Sequence, residues 1–369
     1  MNTEMKYEER IVFALRALYR RFGYIQYKMR KFEAYDLYAR NKDFLLSDSI
    51  LTFTDTNGRL MALKPDVTLS IVRSGADGDG GVQKVYYNEN VYRASGAAQG
   101  FREIMQAGIE CIGEVDDVCI AETLTLAAES LRIISPDCVL DLSHLDIVSA
   151  LVDALGTDAE TRRGVLKCIG EKNLHGLDAL CRAAGADEAA AEKLKTLVRT
   201  AGTPAQVLPA LRELGCAPEA VAQLERLAAC LEALGYGDLV RIDFSVVGDM
   251  RYYNGVVFKG FVRGVPAGVL SGGQYDALMK KMHRSARAIG FAVYLDGLER
   301  LAGEGEAFDV DTVLLYSPGV SPAALLRAVQ ALSAGGESVS AQHTVPDKLR
   351  YRRLARLDGE EVTILADLS

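Results

Sequence analysis

The sequence lacks the excess of basic residues that a nucleic-acid-binding surface requires. Its 369 residues contain 42 Lys and Arg against 50 Asp and Glu, which gives a net charge of −8 and a pI near 5.3. Because broad binding of a polyanion needs clustered positive charge, this balance argues against nucleic acid as a partner.

Cysteine and histidine patterns typical of metal sites are also missing from the sequence. The seven cysteines are scattered without a CxxC pair, and the four histidines show no metal-ligand spacing. An odd, unpatterned set of cysteines is typical of reduced thiols in the cytoplasm rather than of disulfides. We therefore expect a cytoplasmic protein with no metal and no cofactor.

Long apolar runs are the third absence. No segment approaches the roughly 18 apolar residues of a membrane span, and acids throughout the first 23 residues are unlike a signal peptide. We expect no membrane association. With 49% hydrophobic and 25% charged residues, the chain can bury a large core in two or three domains.

Hydrophobic periodicity predicts an α+β architecture interrupted by a helical region. Residues 147–235 are rich in Ala, Leu and charge, and they are broken by Gly and Pro at helical lengths. This pattern predicts a helical insert within a core formed by 1–146 and 236–304. Residues 305–369 form a predicted small α/β domain, with strands at 312–316, 338–342 and 361–366 and helices at 321–334 and 346–357.

Polar residues alternate along one predicted strand of the core. Strands at 82–91 and 104–112 are joined by a loop, and Gln106, Gly108 and Glu110 share one face of the second strand. We interpret Gly108 as leaving room for a ligand against the sheet. Arg93, at the end of the first strand, is suited to capture a carboxylate. The same spacing is also found on ordinary solvent-facing sheets.

These residues belong to a wider pattern that resembles the amino-acid pocket of class II aminoacyl-tRNA synthetases, histidyl-tRNA synthetase in particular. Arg93, Arg102, Gln106 and Glu110 match the arginines, glutamine and glutamate of motif 2. The segments LKPDVT at 63–68, RYYNGVVF at 251–258 and SGGQYDAL at 271–278 resemble further elements of that pocket. The resemblance implies a class II synthetase-like antiparallel sheet flanked by helices.

The resemblance also implies roles for individual side chains. Asp66 and Thr68 take the places of the residues that hold the substrate ammonium, and Arg93 is available for its carboxylate. Tyr253 matches the tyrosine that reads the imidazole together with Glu110. The predicted histidine-binding set contains no catalytic residue and comprises Asp66, Thr68, Arg93, Gln106, Glu110, Tyr252 and Tyr253.

Several positions depart from the synthetase pattern. Gly248 stands where the family has a catalytic arginine, and Arg251 replaces the aspartate before the two tyrosines. The loop at 94–100 is short and nearly uncharged, and the motif 1 proline is missing. The motif 3 arginine aligns with Gly297, or with Arg300 if three extra residues are allowed. A glycine cannot stabilise the charge of an adenylate-forming transition state.

A synthetase-like core without this chemistry resembles the regulatory subunits of ATP phosphoribosyltransferase. The resemblance implies a non-catalytic chain in the first step of histidine biosynthesis. Such a chain would dimerise, assemble with the short catalytic subunit, support its activity and transmit feedback inhibition by histidine. Two alternatives stay open: a divergent histidyl-tRNA synthetase, and a free-standing histidine-binding module.

Overall fold

A computed structural model describes residues 5–42, 45, 50–74, 81–94, 100–247, 252–301 and 308–368. The chain divides into two compact units, Met1–Leu301 and Ala302–Ser369. The helical stretch 147–235 belongs to the first unit, and the separation of that unit into a core and an insert stays a prediction. Within these ranges, no helix is long and apolar enough to cross a membrane.

The first unit begins with elements that surround one large sheet. They are α1 (Tyr7–Arg21), β1 (Ile25–Gln26), β2 (Phe32–Ala34), α2 (Tyr35–Ala39), β3 (Thr52–Thr54), β4 (Leu60–Leu63), α3 (Thr68–Ser74), β5 (Val82–Ala94), β6 (Phe101–Gly113), α4 (Asp117–Ile134) and β7 (Cys138–His144).

A helical stretch and the remaining strands of the sheet follow. They are α5 (Leu145–Asp153), α6 (Ala159–Gly170), α7 (Leu174–Ala183), α8 (Glu188–Arg199), β8 (Ala201–Gly202), α9 (Pro204–Leu214), α10 (Pro218–Ala233), β9 (Val240–Asp243), β10 (Asn254–Val262), β11 (Leu270–Gln274), α11 (Asp276–Lys281), β12 (Arg287–Tyr294) and a 3₁₀ helix (Leu298–Leu301).

The large sheet has nine strands in the order β1-β5-β6-β12-β11-β10-β7-β9-β8. The six strands from β5 to β7 in this order are all antiparallel to their neighbours. Parallel pairing occurs only toward the ends of the described sheet, where β1 joins β5 and β9 joins β7. A separate three-stranded sheet, β2-β4-β3, leads into α3.

One face of the nine-stranded sheet packs on α1 and α4. Ile109 and Cys111 of β6 point to this side and are buried with Leu15 of α1 and Leu124 of α4. The helix α4 begins at Asp117 because the Asp116 carboxylate accepts the Cys119 N–H at 2.9 Å and caps the first turn. The opposite face of β6 carries Gln106 and Glu110.

The helices α5 to α10 share a second hydrophobic core with β9. Leu194 and Leu197 of α8 are completely buried, as is Ile242 of β9. Aspartate or asparagine side chains cap α6, α7 and α8, which explains why these short helices begin at Asp158, Asn173 and Asp187.

The second unit contains β13 (Val310–Tyr316), α12 (Pro322–Ser333), β14 (Val339–Gln342), β15 (Tyr351–Asp358) and β16 (Glu361–Asp367). The predicted helix at 346–357 is wrong, since this segment forms β15 beside the parallel strand β13. Ala355 and Leu357 are buried while Arg356 and Asp358 are exposed, which is the two-residue alternation of a strand. Arginine and leucine favour helices, but pairing with β13 overrides that preference.

Three other predicted elements have different bounds or form. The sequence pattern predicts strands at 266–271 and 240–247, whereas β11 spans Leu270–Gln274 and β9 ends at Asp243. The sequence pattern also predicts a helix at 296–302, where the structure has the 3₁₀ helix Leu298–Leu301. Gly248, Arg251 and most of the two predicted loops at 75–81 and 94–100 lie outside the described residues.

Candidate functional site

A pocket with about 610 Å³ of empty space, part of it open solvent, lies on the face of the sheet that α1 and α4 leave uncovered. All seven residues of the predicted histidine-binding set line it. Among the residues that the structure describes, the lining consists of Leu45, Asp66, Val67, Thr68, Tyr87, Arg93, Gln106, Glu110, Tyr252, Tyr253, Ser271, Tyr275, Gly290, Phe291, Ala292 and Tyr294. The fold therefore gathers residues from 45 to 294 into one site.

Glu110 is the most constrained side chain of the cavity. Its Oε1 accepts a hydrogen bond from the Thr68 hydroxyl at 2.6 Å, and its Oε2 accepts one from the Tyr275 hydroxyl at 2.7 Å. Gly290 lies directly opposite on β12, and a methyl group at that position would collide with the carboxylate. The two hydroxyls and the glycine hold the carboxylate in one orientation.

The protonation of Glu110 reflects its burial. The side chain is 2% exposed, and burial raises its pKa to about 8, with the nearby Asp66 carboxyl adding to the rise. The hydrogen bonds from Thr68 and Tyr275 oppose it by stabilising the carboxylate. A cationic or N–H-bearing ligand placed here would favour the ionised form.

Asp66 lies just before α3, where its carboxylate contacts the first turn of the helix and also lines the cavity. Its Oδ1 accepts the Leu69 N–H at 2.8 Å and so satisfies a free donor in the first turn of this helix. Burial raises the pKa of Asp66, while the Leu69 N–H and the charge of Arg93 lower it. Arg93 itself donates from Nε to the carbonyl oxygen of Pro65 at 3.1 Å, so the arginine is fixed next to the acid.

Gln106 places an unpartnered donor in the lining of the cavity. Its side chain is 3% exposed, and its Nε2 has no hydrogen-bond partner within the part of the chain that the structure describes. Leaving a buried amide unpaired is unfavourable. An acceptor on a bound ligand, such as a carboxylate oxygen, would satisfy it.

The space above Gly108 is filled by the protein itself. Tyr87 lies directly across from Gly108 on β5, and a methyl group on Gly108 would collide with the Tyr87 hydroxyl. The expectation that Gly108 makes room for a ligand is therefore wrong at this point of the sheet. The glycine instead lets the Tyr87 side chain approach β6 closely, and that side chain becomes part of the cavity wall.

Tyrosines form much of the remaining wall. The ring centroids of Tyr252 and Tyr253 are 4.5 Å apart, and those of Tyr252 and Tyr275 are 5.9 Å apart. Gly273 of β11 permits this packing, because a methyl group there would lie 2.9 Å from the Tyr253 ring. Sequence reasoning missed the role of Tyr275, although it stands inside the quoted SGGQYDAL segment.

Other residues singled out in the sequence lie away from the cavity. Arg102 forms an ion pair with Asp296 at 3.3 Å, and Arg300 is exposed on the 3₁₀ helix. His144 is buried, accepts the Asp146 N–H at the start of α5, and contacts Gln223 at 2.9 Å, so it is a core histidine. Among the described residues, no group of three or more His, Cys, Asp or Glu side chains could hold a metal ion.

Similarity to known proteins agrees with this geometry. The family model for histidyl-tRNA synthetase matches residues 1–298. The chain belongs to this family. The match covers every described residue that lines the cavity, from Leu45 to Tyr294.

Relatives within the family carry a second description. A protein of Alkaliphilus metalliredigens (strain QYMF), named ATP phosphoribosyltransferase regulatory subunit, is 25% identical over 292 residues, covering 77% of this chain and 74% of its own. A Clostridium kluyveri protein of the same name is 28% identical and covers 80% of this chain and 78% of its own. The resemblance to these regulatory subunits, inferred from the motifs, is confirmed.

Solved structures show the same fold. A Bacillus halodurans protein described as an ATP phosphoribosyltransferase regulatory subunit/histidyl-tRNA synthetase superposes with a TM-score of 0.77 at 24% identity, covering 95% of this chain and 93% of its own. A chain of the ATP phosphoribosyl transferase (HisG:HisZ) complex of Thermotoga maritima gives 0.64 at 18% identity, covering 79% and 99%. The predicted α+β class II synthetase-like fold is confirmed.

Proposed function

We propose that the chain is the non-catalytic regulatory subunit of an ATP phosphoribosyltransferase. It supports the activity of a short catalytic subunit and transmits feedback inhibition by histidine in the first step of histidine biosynthesis. The observation that carries this proposal is the cavity itself, in which Glu110, Asp66, Arg93 and the unpartnered amide of Gln106 converge. The names of the relatives supply the identity of the partner.

The cavity suits a zwitterionic amino acid with an imidazole ring. Asp66 offers an acid for the ammonium group, while Arg93 and Gln106 offer donors for the carboxylate. Glu110 and Tyr253 face the remaining space and provide an acceptor and a hydroxyl for the two ring nitrogens. Amino acids without matching ring nitrogens would leave buried groups unpaired, so they bind less tightly.

The sequence supports a role without catalysis. Position 248 is a glycine where the family has the arginine that stabilises the reacting groups, and a glycine offers no charge for that purpose. Arg102, the second motif 2 arginine, is engaged by Asp296 rather than turned to the cavity. The protein binds histidine without activating it.

Feedback requires histidine to prefer one arrangement of the complex. A ligand shifts an equilibrium only by its difference in affinity between two states. In this proposal a homodimer of the chain assembles with the catalytic subunits in the cytoplasm. Histidine then binds more tightly to the arrangement in which those subunits are less active.

The test is the activity of a short catalytic subunit with and without this chain, with and without histidine. We expect activity only when the chain is present, and inhibition when histidine is added. With Glu110→Ala we expect full activation and at least tenfold weaker inhibition, because the ring acceptor is lost. Activation by the chain without any response to histidine would contradict the assigned ligand, and no activation would contradict the assigned partner.

The family match favours a second candidate, a divergent histidyl-tRNA synthetase. It requires histidine-dependent exchange of pyrophosphate into ATP and binding of tRNA. The acidic balance of the chain and Gly248 oppose it. Pyrophosphate exchange by the isolated chain decides between the two, since the regulatory subunit shows none.

A further inference from the structure

Lys64 follows β4 directly and buries its side chain almost completely. The side chain is 1% exposed, and its ammonium forms an ion pair with the carboxylate of Glu89 on β5, whose side chain is 17% exposed. Lysine is seldom buried to this extent, because removing its charge from water is unfavourable unless a partner compensates. An apolar pair of similar size would fill the same space at no such cost.

The pair lies where three segments of the chain meet, which we call the Lys64 junction. The Lys64 N–H donates to the carbonyl of Lys31 at 3.2 Å, and its carbonyl accepts the N–H of Tyr92 at 3.0 Å. Glu89 also accepts the N–H of Met29 at 3.4 Å through Oε1. The junction therefore ties the strand β5 and the segment before β2 to the end of β4.

The junction is adjacent to the ligand cavity along the chain. Asp66 is only two residues beyond Lys64, and the intervening Pro65 carbonyl is held by Arg93. Thr68, which fixes one oxygen of Glu110, follows two residues later. Since two residues offer little slack, the position of Lys64 sets the position of the Asp66 carboxylate.

We infer that Lys64 and Glu89 are positioning residues, which hold Asp66 where it meets the ammonium group of the bound amino acid. The inference rests on the proposed function, because it takes Asp66 as the ammonium acceptor of the histidine site. A pair that only supported the fold would change stability. It would not change the preference for a ligand with an ammonium group over one without.

The experiment compares two ligands, histidine and imidazolepropionate, which has the same ring and carboxylate but no ammonium. The variant Lys64→Met with Glu89→Gln removes both charges, keeps the side-chain lengths, and keeps an acceptor for the Met29 N–H. By calorimetric titration, we expect histidine affinity to fall about tenfold while imidazolepropionate affinity stays within about twofold. The ratio of the two affinities therefore falls about fivefold or more.

A matched control exists on the same strand. Lys84 of β5 pairs with Glu122 of α4 at 2.7 Å, on the helix-covered side of the sheet. Lys84→Met with Glu122→Gln removes the same charges and keeps an acceptor for the Tyr24 hydroxyl. We expect this variant to retain the wild-type ratio of affinities.

Each result supports or overturns the inference. A wild-type ratio in the folded Lys64 and Glu89 variant overturns it, as does an equal change in the control. If that variant does not fold, Glu89→Gln alone removes the charge partner of Lys64 while keeping the side-chain length, and a wild-type ratio there is equally contrary. Failure of the wild-type protein to bind histidine would instead overturn the proposed function, on which the inference depends.

Discussion

The two faces of the nine-stranded sheet use the same strands for opposite purposes. On β6, Ile109 and Cys111 face α1 and α4 and are completely buried in an apolar core. Between these two residues, Glu110 faces the cavity and has a raised pKa. Asp66 lines the same cavity, and its pKa is also raised. Alternation along a strand is what allows neighbouring residues to meet such different surroundings.

The helix side of the sheet stabilises the fold, whereas the cavity side lowers the stability of the protein without ligand. Burial of apolar surface on the helix side is favourable without any ligand. On the cavity side, the buried carboxyl of Glu110, the half-buried carboxyl of Asp66 and the unpaired amide of Gln106 make the empty protein less stable than an apolar filling would. A ligand that pairs these groups would recover that stability, which links binding to folding.

The largest expected effect comes from a substitution on the helix side of the sheet alone. Ile109→Ala removes a completely buried side chain, and we expect the free energy of unfolding to fall by about 3 kcal/mol. Histidine affinity of the folded variant should stay unchanged, because Ile109 faces away from the cavity. Urea denaturation and calorimetric titration measure the two effects. Val118→Ala, at a 72% exposed position of α4, is the control and should cost less than about 0.5 kcal/mol.

A change on the cavity side should lower histidine affinity, and Gly290→Ala should also lower the free energy of unfolding, because its methyl group would meet the carbonyl oxygen of Ile109 as well as the Glu110 carboxylate. In Gly290→Ala the new methyl group occupies the space of the Glu110 carboxylate, so we expect histidine affinity to fall about a hundredfold. Gly335→Ala, where the methyl group meets nothing within 4 Å, should leave affinity unchanged. Binding of histidine to the Gly290 variant with wild-type affinity would show that Glu110 does not contact the ligand.

The raised pKa of Glu110 makes the contrast depend on pH. An acid whose pKa is higher in the folded state favours folding when protonated, so its contribution is lost as pH rises through about 8. Glu110→Gln lacks this loss. We expect the wild-type protein to lose about 1–3 kcal/mol of stability relative to the variant between pH 5 and pH 9. Urea denaturation at each pH measures this difference. If the free energies of unfolding of the wild type and the variant differed by the same amount from pH 5 to pH 9, the burial of an ionisable group at this position would be contradicted.

The smallest expected effect comes from removing the hydrogen bond between the Tyr275 hydroxyl and Glu110. Tyr275→Phe removes one of its two hydrogen bonds, and we expect about a tenfold loss of histidine affinity. The pH at which binding strengthens should rise, because the hydrogen bond lowers the pKa of Glu110. Tyr236→Phe removes a similar bond to Glu129 outside the cavity and serves as control. If the pH dependence of histidine binding were the same in Tyr275→Phe and in the wild type, the hydrogen bond from Tyr275 would not influence the ionisation of Glu110.

Much of the sheet follows from sequence alone, because its strands are long and alternate clearly. Arg93 and Glu110 were placed correctly since they lie on β5 and β6, which pair along their whole length. The segment 346–357 was misjudged because its arginines and leucines fit both periods, and the parallel neighbour β13 decided the outcome. That neighbour is about 40 residues away in the chain, beyond the reach of local patterns.

The cavity was predictable in its members but not in its contacts. The seven predicted residues line it, and their binding roles stay predictions. The partnership of Tyr275 with Glu110 joins residues 165 positions apart, and no spacing rule announces it. Gly108 was misread for a related reason, because the ring that fills its space comes from the opposite strand.

The tyrosine wall of the cavity has a practical consequence for spectroscopy. Five of the 16 tyrosines line the cavity, namely Tyr87, Tyr252, Tyr253, Tyr275 and Tyr294, and the chain contains no tryptophan. The intrinsic ultraviolet fluorescence of the protein therefore comes from tyrosine, without energy transfer to tryptophan. A ligand bound in the cavity changes the surroundings of nearly a third of the tyrosines. Binding can therefore be followed by the change in tyrosine fluorescence intensity, without a label.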